Sequence, residues 1–200
     1  MNERFFDLKK EKQDRMINAA LKVFALKGYE HASTDDIVKE AGISKGLLFH
    51  YFLSKLGLYS FVYDYSVRYL ILELTTGVDK AEIDFFQIMD QVMQTEVAIM
   101  RNYPYMIAFL NQCKYENVSE ALVETEEKKA ALSEKYEEIF QRGAQASLKT
   151  GTDKGNLYQL FCFAEEGLLR KSIFEGSFQP EYFYEEWKVY FAQLKLLAGR

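Results

Sequence analysis

Apolar and polar positions along this chain recur with the period of a helix from end to end. Over residues 14–27, Ile17, Ala20, Leu21 and Phe24 fall at i, i+3, i+4 and i+7, which gives one buried helical face. Gly28 ends that pattern, as suits a residue asked to turn left-handed after the last helical turn. Ser33 or Thr34 offers a capping oxygen to a short second helix, with Asp35 and Asp36 in its first turn, where the helix dipole favours anions. Ile37, Val38 and Ala41 form its inner face, and Gly42 stops it. Ser44 then caps a third helix over residues 45–52. Beyond it, Ser54 opens a long pattern to residue 76 with Gly77 as the stop, and further helices are predicted over 79–101, 105–115, 119–149, 157–175 and 181–197. Gly151, Thr152, Asp153, Gly155 and Asn156 mark a turn, and Gly176 and Pro180 divide the last two helices. No segment reads as a strand or an internal repeat. The pattern predicts an all-α chain of about nine helices. Residues 1–53 form a three-helix head, and residues 54–200 form a helical body.

Composition narrows the class. With 48% hydrophobic and 28% charged residues in 200, the chain can bury a core and is not disordered in the main. Two prolines and eleven glycines are too few turn formers for a sandwich or barrel. The longest uncharged stretch, 102–113, is too short to span a bilayer, and the opening MNERFFDLKKEKQDR lacks the apolar run of a secretory signal. Cys113 and Cys162 fit neither a disulfide framework nor a metal motif. A cytoplasmic protein with no membrane partner is expected. The net charge of −5 is unfavourable for a nucleic-acid partner, but it is unevenly spread. Residues 1–55 carry ten Lys/Arg against eight Asp/Glu, a net of +2, and the rest carries −7. Only the contacting face of a DNA binder needs to be positive.

Helix, glycine turn and second helix over residues 33–52 follow the helix-turn-helix plan, in which the N-terminal end of the second helix enters the major groove. Lys45 and Gly46 occupy that end, while Leu48 and Phe52, four apart, turn back to the core. Thr34, Ser44 and Lys55 sit at helix N-termini, where free N–H groups suit phosphate oxygens, and Tyr51 lies within reach of a neighbouring phosphate. Spacing alone leaves two readings open: a DNA-binding head, or a plain three-helix subdomain with ordinary caps and solvated lysines.

The string itself goes further. Gly28-Tyr29, Ser33-Thr34, Ile37-Val38, Ala41-Gly42-Ile43-Ser44-Lys45-Gly46, Leu48-Phe49-His50-Tyr51-Phe52 and Ser54-Lys55 run in the order of the DNA-binding segment of the TetR family of bacterial transcriptional regulators, which this chain resembles over roughly residues 10–60. The resemblance implies phosphate contacts from Thr34, Ser44, Tyr51 and Lys55. It places Lys45, Gly46 and Leu47 nearest the base edges, with His50 close to the backbone. Phe49 stands where the family often has Tyr, so a hydrogen bond to phosphate is lost there and contact with a thymine methyl or a sugar is left. Lys9, Lys10, Lys12 and Arg15 add positive charge on the first helix. The family resemblance further implies a homodimer, a double-stranded DNA operator and an unknown small-molecule effector.

In the body, Phe183, Trp187, Tyr190, Phe191, Leu194 and Leu197 form one stripe on the last helix. Leu157, Leu160, Phe161, Ala164 and Leu168 form another on the helix before it, with Gly167 allowing close approach. These stripes, Leu160, Ala164, Leu168, Phe183, Trp187, Phe191 and Leu194 above all, are expected to build a four-helix dimer interface, or else to pack inside one chain. Aromatic and methionine side chains in the middle, Tyr65, Tyr69, Phe86, Met89, Met93 and Phe109, are candidate walls of an apolar effector pocket, with simple core packing as the other reading. His31 and His50 lack partners in any nucleophile or metal arrangement, and no glycine loop for phosphates is present. No enzymatic activity, metal or cofactor is therefore expected. The function expected is a repressor released from its operator by a small apolar or amphipathic effector, the alternative being an effector-independent DNA-bound structural or adaptor protein.

Overall fold

Helical periodicity carries through to the structure wherever a cap or a glycine marks an end. The computed structural model describes residues 3–176 and 178–200. Among them the chain forms α1 (Lys10–His31), α2 (Thr34–Ala41), α3 (Lys45–Phe52), α4 (Lys55–Gly77), α5 (Phe85–Asn102), α6 (Met106–Cys113), α7 (Ser119–Arg142), α8 (Lys154–Phe174) and α9 (Pro180–Ala198), with 3-10 turns at Glu3–Asp7 and Gln145–Ser147. No strand occurs among the described residues beyond an isolated bridge between Leu148 and Gly199. The all-α expectation of about nine helices is borne out. No described helix is long and apolar enough to cross a membrane.

Three boundaries differ from the sequence reading, each for a local reason. Helix α1 continues to His31, but Gly28 at φ 66 and ψ 177 breaks the helical path inside it. The helix expected from residue 79 starts only at Phe85, because Asp84 turns its carboxylate to the N–H of Gln87 at 2.9 Å and acts as the cap. The long charged helix expected to reach residue 149 ends at Arg142. Gly143 follows, where a side chain would crowd the Phe85 ring, and the chain turns away.

The helices sort into two compact units. The first combines the chain up to Tyr69 with Tyr103–Ala131, and the second combines Leu70–Asn102 with Leu132–Arg200. In the first, α1 lies along α6, α2 folds against α1, and α3 folds against α2 and the Glu3–Asp7 turn. Phe24 of α1 meets Tyr59 of α4 edge-on at 5.0 Å, and Tyr59 meets Phe109 of α6 edge-on at 5.6 Å, all three fully buried. Each such ring contributes about 1.5–3 kcal/mol by leaving water. The Tyr59 hydroxyl lies 3.1 Å from the Cys113 sulfur. Burial pushes the Cys113 thiol up to about 12, so it is no thiolate at neutral pH and behaves as a packing residue. Lys22–Glu40 at 2.7 Å and Lys27–Asp36 at 2.8 Å join α1 to α2 at the surface.

In the second unit, α9 packs against both α5 and α8. Trp187 stacks on Phe191 at 4.4 Å, Phe161 stands 5.3 Å from Phe191, and Phe86 meets Phe191 edge-on at 6.0 Å. One charged group lies deep in this unit. Glu96 of α5 is only 2% exposed, and the Tyr136 hydroxyl of α7 donates to its Oε1 at 2.5 Å. Burial first, then the charges of Glu96 and Glu165, raises the Tyr136 hydroxyl well above its ordinary range, so it stays a donor at any physiological pH. Tyr136→Phe removes that donor from a buried carboxylate. We expect a stability loss of about 1–3 kcal/mol in urea unfolding, and an unchanged midpoint would show that the bond carries none of the unit's stability.

Candidate nucleic-acid interface

Capping side chains and one glycine set the geometry of the helix-turn-helix. Ser33 is the N-cap of α2, its Oγ accepting from the Asp36 N–H at 3.1 Å. Gly42 ends α2 at φ 63 and ψ 42. Its N–H bonds back to Lys39, and Ile43 N–H bonds to the Val38 carbonyl at 3.1 Å. Nothing lies near enough to exclude a side chain at Gly42, so the left-handed dihedrals are what demand glycine there. Ser44 caps α3 by accepting from the Leu47 N–H at 3.2 Å, which leaves its hydroxyl proton for an outside acceptor.

The short helix α3 is divided by its burial. Leu48, Tyr51 and Phe52 face inward, Lys45, Gly46 and His50 are exposed, and Leu47 and Phe49 are half-buried between them. Lys45, Gly46, Phe49 and His50 thus share the outward face, and the space around Gly46 is open. Such a face suits a groove, since its first turn admits close approach of a base pair. Lys45 is held by Asp35 of α2 at 2.8 Å, an exposed pair of the kind worth about 0–1 kcal/mol, which a phosphate or a guanine edge can displace. Thr34, half-buried, opens α2.

Two residues expected to contact phosphate have partners within the chain. Tyr51 is only 7% exposed, and its ring stands edge-on to Phe5 at 5.7 Å, so it is first of all a packing residue. Lys55 is engaged within the chain. Its Nζ donates to the carbonyls of Tyr29, Glu30 and Ala32 at 2.8, 3.4 and 3.2 Å, and it lies 4.3 Å from the centre of the Tyr29 ring. An ammonium has three donors, and all three are engaged on the backbone where α1 ends. The cation there meets carbonyls that the end of α1 at His31 leaves without helical partners.

The corner after α3 is strained. Leu53 has φ 64, and the Ser54 N–H donates to the Phe52 carbonyl at 2.7 Å, closing a three-residue turn of the rarer hand. Such a backbone costs on the order of 1–3 kcal/mol. Leu53 is 75% exposed and recovers little of that by burial. A side chain at Gly57 would run into the Phe52 carbonyl oxygen, so glycine is what lets α4 start this close to the end of α3. Neither Leu53 nor Phe5 stood out in the sequence. Leu53 sits between two helical patterns, and Phe5 precedes the first of them.

The remaining expected sites are placed differently from the sequence reading. The six pocket candidates divide between the two units. Phe109 is buried among Phe24, Tyr59 and Tyr63, and Tyr65 and Tyr69, half-buried, stack 6.0 Å apart in the first unit. Phe86, Met89 and Met93 are buried in the second. The division arises because α4 passes from one unit to the other after Tyr69 while α5 packs on α9. Of the expected interface residues, Phe183, Trp187 and Leu168 are buried within their own chain, Phe191, Leu194 and Ala164 are half-buried, and Leu160 is exposed. Positions 183, 187 and 191 face inward on α9, so the outward stripe is instead Tyr182, Val189 and Leu196, seven apart, with Leu160, Phe163 and Gly167 on α8.

The Lys55 geometry gives a discriminating variant. Lys55→Met should cost about 1.5–3 kcal/mol of stability, as expected for lost charge-assisted hydrogen bonds. The salt dependence of DNA binding should keep its slope. A slope lower by about one unit would instead assign Lys55 to a phosphate.

Residues 16–60 match the family model for bacterial regulatory proteins, tetR family. A stretch of 72 residues is 40% identical to the uncharacterized HTH-type transcriptional regulator YuxN of Bacillus subtilis (strain 168), covering 34% of this chain and 25% of that protein. The chain thus spans about a quarter of the length of that relative. Among solved structures, a TetR family transcriptional regulator from Chloroflexus aurantiacus J-10-fl aligns over 100% of this chain and 98% of its own, at 18% identity and a TM-score of 0.69. The TetR family regulator PfmR from Thermus thermophilus aligns over 90% and 96%, at 23% identity and a TM-score of 0.60. FadR from Bacillus subtilis, in complex with stearoyl-CoA, aligns over 90% and 96%, at 16% identity and a TM-score of 0.61. These structural likenesses speak to fold. Residues 16–60, which hold the capped helix-turn-helix, are thus similar to the bacterial regulatory proteins of the tetR family, and the chain as a whole shares its fold with solved structures of such regulators.

Proposed function

We propose that the chain is a dimeric transcriptional regulator, a repressor whose operator affinity falls when a small apolar or amphipathic effector binds. The observation that carries the DNA-binding half is the outward face of α3, with Lys45, Gly46, Phe49 and His50 on a helix capped by Ser44. Thr34 and Ser44 stand at the N-termini of α2 and α3, where phosphate oxygens meet free N–H groups. A second copy is supported by the apolar stripes of α8 and α9. Side chains seven apart on one face of α9, with Gly167 open on α8, suit a four-helix contact about a twofold axis. One head reads one half-site, so a pair is what a symmetric operator requires.

The effector reading draws on α5, where Met89, Met93 and Glu96 fall at i, i+4 and i+7. This is an adaptable apolar stripe ending on a buried polar pair with Tyr136. An amphipath would lay its apolar part along the methionines and its polar end toward that pair. FadR, of similar fold, holds stearoyl-CoA, which makes that molecule a sensible first probe. Release follows if the ligand binds one of two conformers better; equal affinity for both would shift nothing.

Selection of genomic fragments by the full-length protein should yield a palindromic duplex with half-sites about 34 Å apart, or a multiple of that. Sedimentation at micromolar concentration should show a dimer. Val189→Glu together with Leu196→Glu should give a folded monomer with operator affinity lowered at least about tenfold, because two charges would enter an apolar contact. A wild-type monomer, or a double variant that still dimerises, would overturn this interface. Stearoyl-CoA that binds and raises the operator dissociation constant supports effector release, and binding without such a change favours the effector-independent reading.

A further inference from the structure

We propose that the segment upstream of α1 is a working part of the DNA-reading head, and that Phe5 is a positioning residue that sets the aim of the recognition helix. The inference rests on the DNA-reading role proposed for α3. It concerns residues outside the stretch 16–60 that matches the family.

Phe5 is 0% exposed although it lies in a five-residue turn near the start of the chain. Its ring reaches Tyr51 at 5.7 Å, Phe52 at 5.1 Å and Phe61 at 5.2 Å. Tyr51 and Phe52 are the last two residues of α3, and Phe61 lies two turns into α4. The ring therefore fills the angle between the recognition helix and the helix that follows it. The turn is also fastened from behind. The Gln13 side-chain amide of α1 donates to the Phe6 carbonyl at 3.1 Å and to the Leu8 carbonyl at 2.7 Å. Phe5 is thus an anchored wedge.

The wedge sits at the strained corner around Leu53. A strained backbone persists only where its surroundings over-determine it, and the exposed Leu53 side chain holds nothing itself. Lys55 ties the start of α4 to the end of α1, but it does not touch α3. Phe5 does. Removing the ring opens a phenyl-sized gap beneath Tyr51 and Phe52, and α3, only eight residues long, is then free to roll. Rolling redirects Lys45 and His50 while Thr34 and the start of α2 keep their places. The loss should therefore fall on base reading and spare phosphate binding, since base contacts specify while phosphate contacts position.

The test compares full-length Phe5→Ala and Phe5→Leu with wild type on two duplexes, the one the wild type selects and a scrambled one of equal length and composition. Titrations run well below each variant's melting temperature. Phe5→Ala should lower the ratio of specific to scrambled affinity about tenfold, the scale of one base contact, with scrambled affinity held within about twofold. Its salt slope should be unchanged. Phe5→Leu, which refills most of the gap, should recover most of the ratio, and should Phe5→Ala fail to fold, Phe5→Val, which leaves more of the gap open than Phe5→Leu, takes its place with a lowered ratio expected. Hydrogen exchange in Phe5→Ala should quicken at residues 47–52 relative to the core of α1. A ratio that stays at the wild-type value, or affinities for both duplexes that fall in parallel, would overturn the role of Phe5. Wild type that selects no duplex would instead strike the DNA-binding proposal itself.

Discussion

Everything in the three-helix head depends on apolar surface it does not own. Helices α1 to α3 are 22, 8 and 8 residues long. A segment of that size buries too small a share of its surface to stand alone without staples, and no disulfide or metal is available among the described residues. The deficit is met by α4 and α6. The contact of Phe24 with Tyr59 and Phe109 joins three helices from distant parts of the chain into one core. This is why the first unit includes Tyr103–Ala131 as well as the head.

That shared core joins α6 to the head. Around it lie polar ties at the break in α1. Tyr29 N–H, freed by Gly28, donates to Glu116 at 3.0 Å, and the other oxygen of Glu116 accepts from the N–H groups of Asn117 and Val118 at the entry to α7. Tyr29 also donates its hydroxyl to Glu120 at 2.5 Å. On its carbonyl side it receives Lys55. One residue beside one glycine thus links the entry to α7 with the entry to α4.

The second unit separates packing from presentation by rotation of a single helix. On α9, Trp187 and Phe191 turn to Phe161, Phe191 also meets Phe86, Phe183 is buried beside Phe178, and positions 182, 189 and 196 turn out. Both sets are apolar, and both have helical spacing. A helix that is apolar on two faces has two neighbours to find, and one of them here is its own chain.

Local signals were enough for much of this protein. Ser33, Ser44 and Asp153 cap the helices that follow them, Gly42 demands a left-handed turn, and the spacing of apolar positions marks each helix, because caps and dihedrals act within a few residues. The motif around Ala41–Gly46 was legible for the same reason. Tertiary structure alone decided what required distance. It turned Lys55 to three carbonyls some twenty-five residues away, drew Phe5 beneath α3, and divided the pocket candidates between two units. It also chose which apolar stripe of α9 faces inward. Periodicity says that a helix has a face to bury, but which partner covers that face is settled only when the other helices are in place.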